Sequence, residues 1–470
     1  MSGEGHSRRE GCRWELAAGT ALEQLYFFEA RNSKLEVRGI LEACEPAQAP
    51  RAGPCSRALQ RRLRTLYNSG VRVLLLNLYY PPDTSATSKM AQTVVEALAT
   101  KHEVCVVCGR PSYDPTEQRP WRLYQSEVNG NVRVIRVGST AYPRAQMKRR
   151  LANYLTYVVL VVPRVVFLRC DVVVAMTDPP FEGIVGAFVA MLKSKPYVYN
   201  IRDLYPDMAV GGSIVKPGLL PRLWERMHRW ALRRATSVVV LGEDMRKRLL
   251  SKGVDAQRVA VVRDGAEIAA KKDKAVGLDA QVIGEIRGGF GFVLVHAGNL
   301  GFYGAWETLL NGAKQLAEDG VGIVFVGDGA QYERLRAAAE EIPNVRFLPF
   351  YPSSKIPSVL AAGDAHLITV KRGLEGVVVP SKMYGILAAG KPIVAVASEE
   401  CDVVSLGKSK GFGVSSSPDD AEGFAKCVKE LIRSDGRLQA MGSAAAKAAR
   451  EFDRRRELEK LVAIIEGASK

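Results

Sequence analysis

The sequence predicts an α/β protein made of two Rossmann-like, doubly wound domains that face each other across a cleft. Three observations lead there. Short runs rich in Val, Ile and Leu alternate with helical segments, which is the pattern of parallel strands covered on both faces. The pattern runs once from residue 71, stops in the polar patch AAKKDKAVGLDAQ, and starts again. At 470 residues the chain is also too long for one ordinary core, so two domains of roughly 150–200 residues are expected.

Residues 1–70 stand apart. They are rich in Arg, Glu and Ala, show no strand-and-turn rhythm and end in RRLRTLYNSG. The expectation is a disordered or loosely helical extension, or a gene-model artefact upstream of a true start at Val71, so deleting it should leave a folded, active protein. The first domain, 71–275, opens with VRVLLLNLY, followed by PPDTSATSK turning into a helix over MAQTVVEALAT. HEVCVVCG, VRVIRVG, DVVVAM, PYVYNI and SVVVLG continue the strands, with RLWERMHRWALRRA among the helices. A linker near 270–290 leads to the second domain, 285–450. Its strands are FVLVHAG, GIVFVGDG, VRFLPF, AHLITV and PIVAVAS; its helices are ETLLNGAKQLAEDG, QYERLRAAAEEI and the segment near SKMYGILAAG. Residues 451–470 form a closing helix placed to cross back onto the first domain.

Hydrophobic content of 47% with 25% charged residues and a mean hydropathy of −0.04 is that of a soluble globular protein. The balance of 66 Lys and Arg against 50 Asp and Glu, net +16, favours anionic partners: nucleic acid, phosphorylated small molecules or an acidic membrane surface. No zinc-finger or RNA-recognition spacing selects nucleic acid, so none is expected as a partner. The 8 cysteines show no disulfide framework, and Cys105 and Cys108 would face opposite sides of one strand, which suits neither a metal nor a redox pair. Reduced cytosolic thiols follow. MSGEGHSRREG has no apolar core behind its charges, so no signal peptide is expected. Residues 142–168 join a basic cluster to a long apolar run that Pro163 and Arg164 interrupt too early for a membrane span. Two readings stay open: a core helix, or a face that dips into an anionic membrane with Arg144, Lys148, Arg149 and Arg150 on lipid phosphates.

In an open parallel sheet, ligands bind beyond the carboxyl ends of the strands. Four loops qualify. Tyr80 to Ser88 (YPPDTSATS) offers short hydroxyl side chains, including Thr84 and Ser85 beside Asp83, that cap a helix start or leave amides for an anion. NIRDLYPDMA from Asn200 crowds Arg202, Asp203 and Asp207 at one strand end, which asks for a simple Arg–Asp pair or a ligand. HAGNLGFYGAWETLL (296–310) is a strand, a Gly-rich turn and a helix, a geometry that brings a pyrophosphate near backbone amides. EGVVVPSKMYGILAAGKPIVAV (375–396) reads as strand, corner, helix and strand, with Glu375 two to three residues after a strand and Ser381 capping the helix. Lys382 in that first turn opposes the macrodipole and makes more sense with an anion bound. Glu375 would instead accept hydrogen bonds from hydroxyls. Together the loops ask for a ligand with a diphosphate and several hydroxyls, as in a nucleotide sugar.

From Val71 to about Phe452, some four-fifths of the chain, the sequence resembles the retaining glycosyltransferases of the GT-B fold, the large family four. Within that family it is most similar to bacterial transferases of surface-polysaccharide assembly, including the fucosamine and colanic-acid types. YYPPDTSAT, NIRDLYPD, HAGNLG, VFVGDGAQYERL, NVRFLPFYP and EGVVVPSKMYGILAAGKPIVA carry the likeness, the last most specifically. The resemblance implies acceptor binding in the first domain, with Asp83, Thr84, Ser85, Arg202, Asp203 and Asp207 as candidates, and donor binding in the second. Gly298, Asn299, Gly301 and Gly327 would lie beneath the diphosphate. Lys382 and the Ser381 helix start would hold phosphate charge, Glu375 would touch the donor sugar, and Phe350 and Tyr351 would lie where such enzymes hold the base. Asp203, Glu375 and Lys382 are the catalytic candidates. No metal or cofactor is implied beyond the nucleotide-sugar substrate.

The implied protein is a cytoplasmic, peripherally membrane-associated transferase at the inner face of the cytoplasmic membrane. It would move a sugar from a UDP-sugar to a lipid-linked saccharide. The chain departs from the family where Gly385 replaces the usual second glutamate, where Asn299 replaces an Arg, and at FYGAW (302–306), where a Lys is common. A catalytically dead scaffold subunit or a nucleotide-sugar 2-epimerase are the competing classes, the latter calling on His228, His296 or His366. An NAD enzyme is disfavoured because no G-x-G-x-x-G follows the first strand.

Overall fold

The first strand, β1 (Arg72–Leu76), has Val73 to Leu76 at 1% exposure or less. A run with no polar alternation must be covered on both faces, and it is. Around it lie β2 (Glu103–Cys108), β3 (Tyr124–Asn129), β4 (Val132–Val137), β5 (Val172–Ala175), β6 (Tyr197–Asn200), β7 (Ser237–Val240) and β8 (Val259–Val261), ordered β3-β4-β2-β1-β5-β6-β7-β8. All pairs are parallel except β3–β4, a hairpin turned at Gly130 with φ +57°. Helices α1 (Ala86–Ala99), α2 (Met147–Val166), α3 (Glu182–Lys193), α4 (Asp207–Gly211), α5 (Leu219–Arg234) and α6 (Glu243–Ser251) connect the strands. The computed structural model describes residues 70–112, 121–142, 147–268, 277–434 and 436–470. The extension, Arg144, the Lys148 side chain and the middle of the polar patch lie outside the described residues.

The second half repeats the plan with β9 (Phe292–Ala297), β10 (Val321–Val326), β11 (Val345–Leu348), β12 (Ala365–Thr369), β13 (Ile393–Val396) and β14 (Gly413–Ser416). These are all parallel, in the order β11-β10-β9-β12-β13-β14. Its helices are α7 (Ala280–Arg287), α8 (Trp306–Leu316), α9 (Tyr332–Ala338), α10 (Ile356–Ala362), α11 (Lys382–Ala388), α12 (Asp402–Lys410), α13 (Ala421–Arg433) and α14 (Arg437–Glu451). Strand order reverses between β1 and β5 in one sheet and between β9 and β12 in the other. Loops after those four strands therefore open onto a crevice.

The last helix, α15 (Arg454–Ala468), returns to the first half, where Leu461, Val462 and Ile465 share a core with Val73, Leu75 and Val95. Each such side chain stabilises by about 1.5–3 kcal/mol relative to exposure. The crossing runs beside the other linker: Ala266 N donates to Phe452 O (2.6 Å), and Arg454 N donates to Ala266 O (3.0 Å). Gly265, at φ +67°, leaves a Cβ no room there, since it would stand 2.6 Å from Arg454 Cα. The largest core runs through both halves, from Leu204 and Met245 to Leu374, Val377 and Val379.

One expected element is absent. Val377–Val379 join neither sheet, and the apolar run is a loop with one isolated β-bridge to the first half, between Val378 and Asp203. It is apolar because it docks in the shared core. Glu375 consequently follows a turn over Lys371–Leu374, further from β12 than the sequence indicated.

Candidate active site

Beyond β9 and β10 two glycines let two backbones touch. Gly298 has φ +138° and Gly327 φ +145°, and a Cβ on Gly327 would lie 2.1 Å from Gly298 O. Aromatic donors pin the same loop: Tyr303 Oη donates to Asn299 O (2.8 Å) and Trp306 Nε1 to Gly301 O (2.7 Å). Lys382, the first residue of α11, ends over Gly298, where a Cβ would stand 3.3 Å from its Nζ. That Nζ lies 2.9 Å from His296 Nε2. Lys382 makes no salt bridge among the described residues, and burial pushes its ammonium down to about 7. The result is a desolvated cation aimed at a glycine-floored loop.

The Ser381 expectation is corrected. It occupies the residue before α11 but is exposed, and its side chain makes no capping hydrogen bond. Its backbone is already helical (φ −61°, ψ −23°), whereas a capping hydroxyl needs an extended residue to reach back. Phe350 is exposed beside Gly327, and Tyr351 Oη donates to Glu285 Oε2 on α7 (2.6 Å). Gly385 faces open space, so nothing in the fold excludes a longer side chain there.

The loops after β6 and β12 meet across the crevice. Leu204 N donates to Val377 O (3.1 Å), Arg248 Nη1 donates to Glu375 O (3.2 Å), and Gly376, at φ +65°, packs against the backbone of Asp244. Asp203 and Glu375 are thus brought to one seam. Burial, reinforced by the charge of Asp178, raises the Asp203 carboxyl to about 7, with Arg202 opposing. The backbone N–H groups of Arg202 and Asp203 both point to Thr177 Oγ1 (3.3 and 3.4 Å).

Other first-domain candidates have structural partners. Arg202 pairs with neither neighbouring Asp but with Asp264, whose carbonyl also accepts from Arg454 Nε (3.2 Å). Asp207 is bound by Lys252 Nζ (2.6 Å) and Arg248 Nε (3.0 Å); burial alone would raise its carboxyl, but these cations outweigh it and lower it. Ser85 caps α1 by accepting from Ser88 N (3.1 Å), and Asp83 accepts from Ser112 N (2.9 Å), while Thr84 is exposed. Thr177 and Asp178 were missed, although Asp178-Pro-Pro after a strand mirrors the Pro-Pro-Asp of the first loop.

In α2, Tyr157, Val161 and Val165 face the core while Leu151, Leu155 and Val159 are exposed. Arg150 Nη2 donates to Tyr154 Oη (2.6 Å), and Arg149 lies over the Tyr142 ring. No described helix is long and apolar enough to cross a membrane.

Two Rossmann-like domains, a crevice at both switch points and a chain that crosses back at its end define the GT-B architecture. Residues 85–265 match the family model of a glycosyl transferase 4-like domain, and residues 289–448 that of glycosyl transferases group 1. The chain belongs to these glycosyltransferases. It is 24% identical over 383 residues to WcaI of Escherichia coli K12, which carries the name of a colanic acid biosynthesis glycosyl transferase; the match spans 77% of this chain and 92% of WcaI. To WbjE of Pseudomonas aeruginosa, named as a glycosyltransferase, it is 25% identical over 58% of this chain and 68% of the relative. Anabaena HepE, solved with UDP and glucose, superposes at TM-score 0.61 with 17% identity, over 84% of this chain and all of that one. WaaG, a glycosyltransferase of lipopolysaccharide biosynthesis, superposes at 0.58 with 15% identity over the same shares.

Proposed function

We propose that the protein transfers a sugar, with retention of configuration, from a UDP-sugar to a lipid-linked saccharide during surface-polysaccharide assembly. The observation that carries the donor half is Lys382, a poorly solvated amine with no carboxylate partner among the described residues, set over the Gly298–Gly327 contact. A nucleoside diphosphate leaving group gains negative charge as the glycosidic bond breaks, and a preorganised cation stabilises it. Lys382 does this without a metal ion. Phe350 offers its exposed ring to the base, Glu375 accepts from donor-sugar hydroxyls, and Asp203 faces the acceptor from the opposite wall. The names of WcaI and WaaG support the polysaccharide assignment, and the UDP and glucose in HepE support the donor class.

The same reading places the protein on the inner face of the cytoplasmic membrane. Support comes from exposed apolar residues on α2, just past its end and on α5, with Phe167, Leu219 and Leu220 exposed by 83%, 83% and 72%. An open hollow of about 520 Å³ beside Phe167 is lined by Arg72, Arg169, Leu192, Lys193 and Lys195 as well. Such a surface suits anionic headgroups.

The test is UDP release from a panel of UDP-sugars in the presence of membrane lipid extract. Wild type should turn over at least one donor, and Asp203→Asn and Lys382→Ala should not. Turnover surviving both substitutions would remove this site from the chemistry. Binding to vesicles containing phosphatidylglycerol but not to neutral vesicles, weakened by Val159→Glu, is the expected membrane result. Equal binding to both would discard that contact.

A further inference from the structure

His296 is the second member of a pair that the donor reading leaves unused. It sits near the end of β9, fully buried, walled by Trp306 of α8 at a ring distance of 5.0 Å and by Phe325 of β10 at 6.0 Å. Its Nε2 lies 2.9 Å from Lys382 Nζ, 86 residues further along the chain. A contact this short between two nitrogens requires one proton between them, donated by the ammonium or by the ring. The charged and titratable groups that face the pair are few. On β12, His366 pairs in register with Val295 and so lies on the other face of the sheet, where it is buried with its Nε2 2.9 Å from Leu360 O. Backbone groups of Leu367 and Asn299 favour a ring proton, and no carboxylate of the described residues acts on either member. The pair is therefore two bases in a poorly solvated site with no anion of their own among the described residues.

We propose that His296 is a positioning residue that holds the Lys382 nitrogen over the Gly298 loop, and that the pair takes up one proton when a nucleoside diphosphate binds. The inference rests on the donor site described above. The proton comes from solvent and stays on Lys382: free Lys382–NH2 hydrogen-bonded to His296 plus H+ gives Lys382–NH3+ donating to the ring and to a phosphate oxygen. The sign follows. With the free amine near 7 and the bound amine raised by the phosphate, the contribution of this amine to affinity is constant well below pH 7 and falls as pH rises above it. His296 stays neutral throughout, because burial and the neighbouring Lys382 hold its ring well below the ordinary range.

Calorimetric titration of UDP in buffers of different ionisation enthalpy counts the protons. At pH 8 the terminal phosphate of UDP is already ionised, since such a proton leaves near pH 6. Wild type should then take up about 0.9 proton, with affinity falling about tenfold per pH unit above 7.5. Lys382→Arg is always charged, so it should bind UDP with no uptake. His296→Leu should release Lys382 toward solvent, where it is charged beforehand, so that uptake falls toward zero and affinity drops. His296→Gln, whose amide oxygen can accept from the ammonium, should restore much of the affinity. UDP binding by wild type without proton uptake at pH 8 overturns the inference and leaves the donor site standing. Uptake unchanged in His296→Leu removes His296 from it. Failure of wild type to bind UDP at any pH overturns the donor site and this inference together.

Discussion

Alanine at Gly327 is a sharp test of how the donor loop is built. The added methyl would stand 2.1 Å from Gly298 O, more than 1 Å inside ordinary contact, and the atom it meets is backbone. Gly327 also has φ +145°, which L side chains rarely adopt. Overpacking of this kind costs about 1–3 kcal/mol, and a strained backbone adds about 1–3 kcal/mol. The sum is roughly 2–6 kcal/mol, or a melting point lower by roughly 5–15 °C, taking a few degrees per kcal/mol. The two backbones must separate by about 1 Å, which displaces the loop to which the diphosphate is assigned. UDP affinity should fall accordingly. Gly385→Ala is the control: nothing lies within 4 Å of its Cβ, and alanine favours a helix by about 1 kcal/mol over glycine. Differential scanning fluorimetry and UDP titration on both proteins decide the matter. A Gly327→Ala protein that melts with wild type and binds UDP normally would refute the close-contact account.

Two further predictions concern the walls of the crevice. Glu375→Ala should weaken UDP-sugars by about 1–3 kcal/mol while leaving UDP itself nearly unchanged, because the carboxylate is assigned to sugar hydroxyls; paired titrations of UDP and a bound UDP-sugar read the split. Arg263 of the first half pairs with Asp402 at the start of α12, with only 11% and 3% of the side chains exposed. Asp402→Ala should destabilise the protein by about 3–5 kcal/mol in urea, since it leaves a buried guanidinium unpaired.

Much of the fold could be read from the sequence because parallel strands covered on both faces must be almost wholly apolar, and β1, β5 and β10 are. The strand β3 was not, because YQSEVN is an exposed edge whose composition follows solvent rather than sheet. Val377–Val379 misled for the opposite reason: a loop buried against Leu204 looks like a strand in one dimension. In the site, the glycine turn at Gly298 and the place of Lys382 at a helix start could be read from local rules, whereas Gly327 entered only through the family resemblance. The contact of Lys382 with His296, the approach of Asp178 to Asp203 and the pairing of Arg202 with Asp264 were not, because each joins segments far apart in sequence. Ser381 shows the limit of the local rule itself: the residue is where a cap belongs, but its backbone has the wrong conformation to make one.

The central claim is that a nucleoside diphosphate binds against Lys382. Calorimetric titration of UDP at pH 7 into wild type and Lys382→Ala tests it most directly. The account predicts binding by wild type and a loss of about 1.5–3 kcal/mol in the variant, the worth of a charged hydrogen bond. Equal affinity in the two proteins, or no binding by wild type, would contradict it.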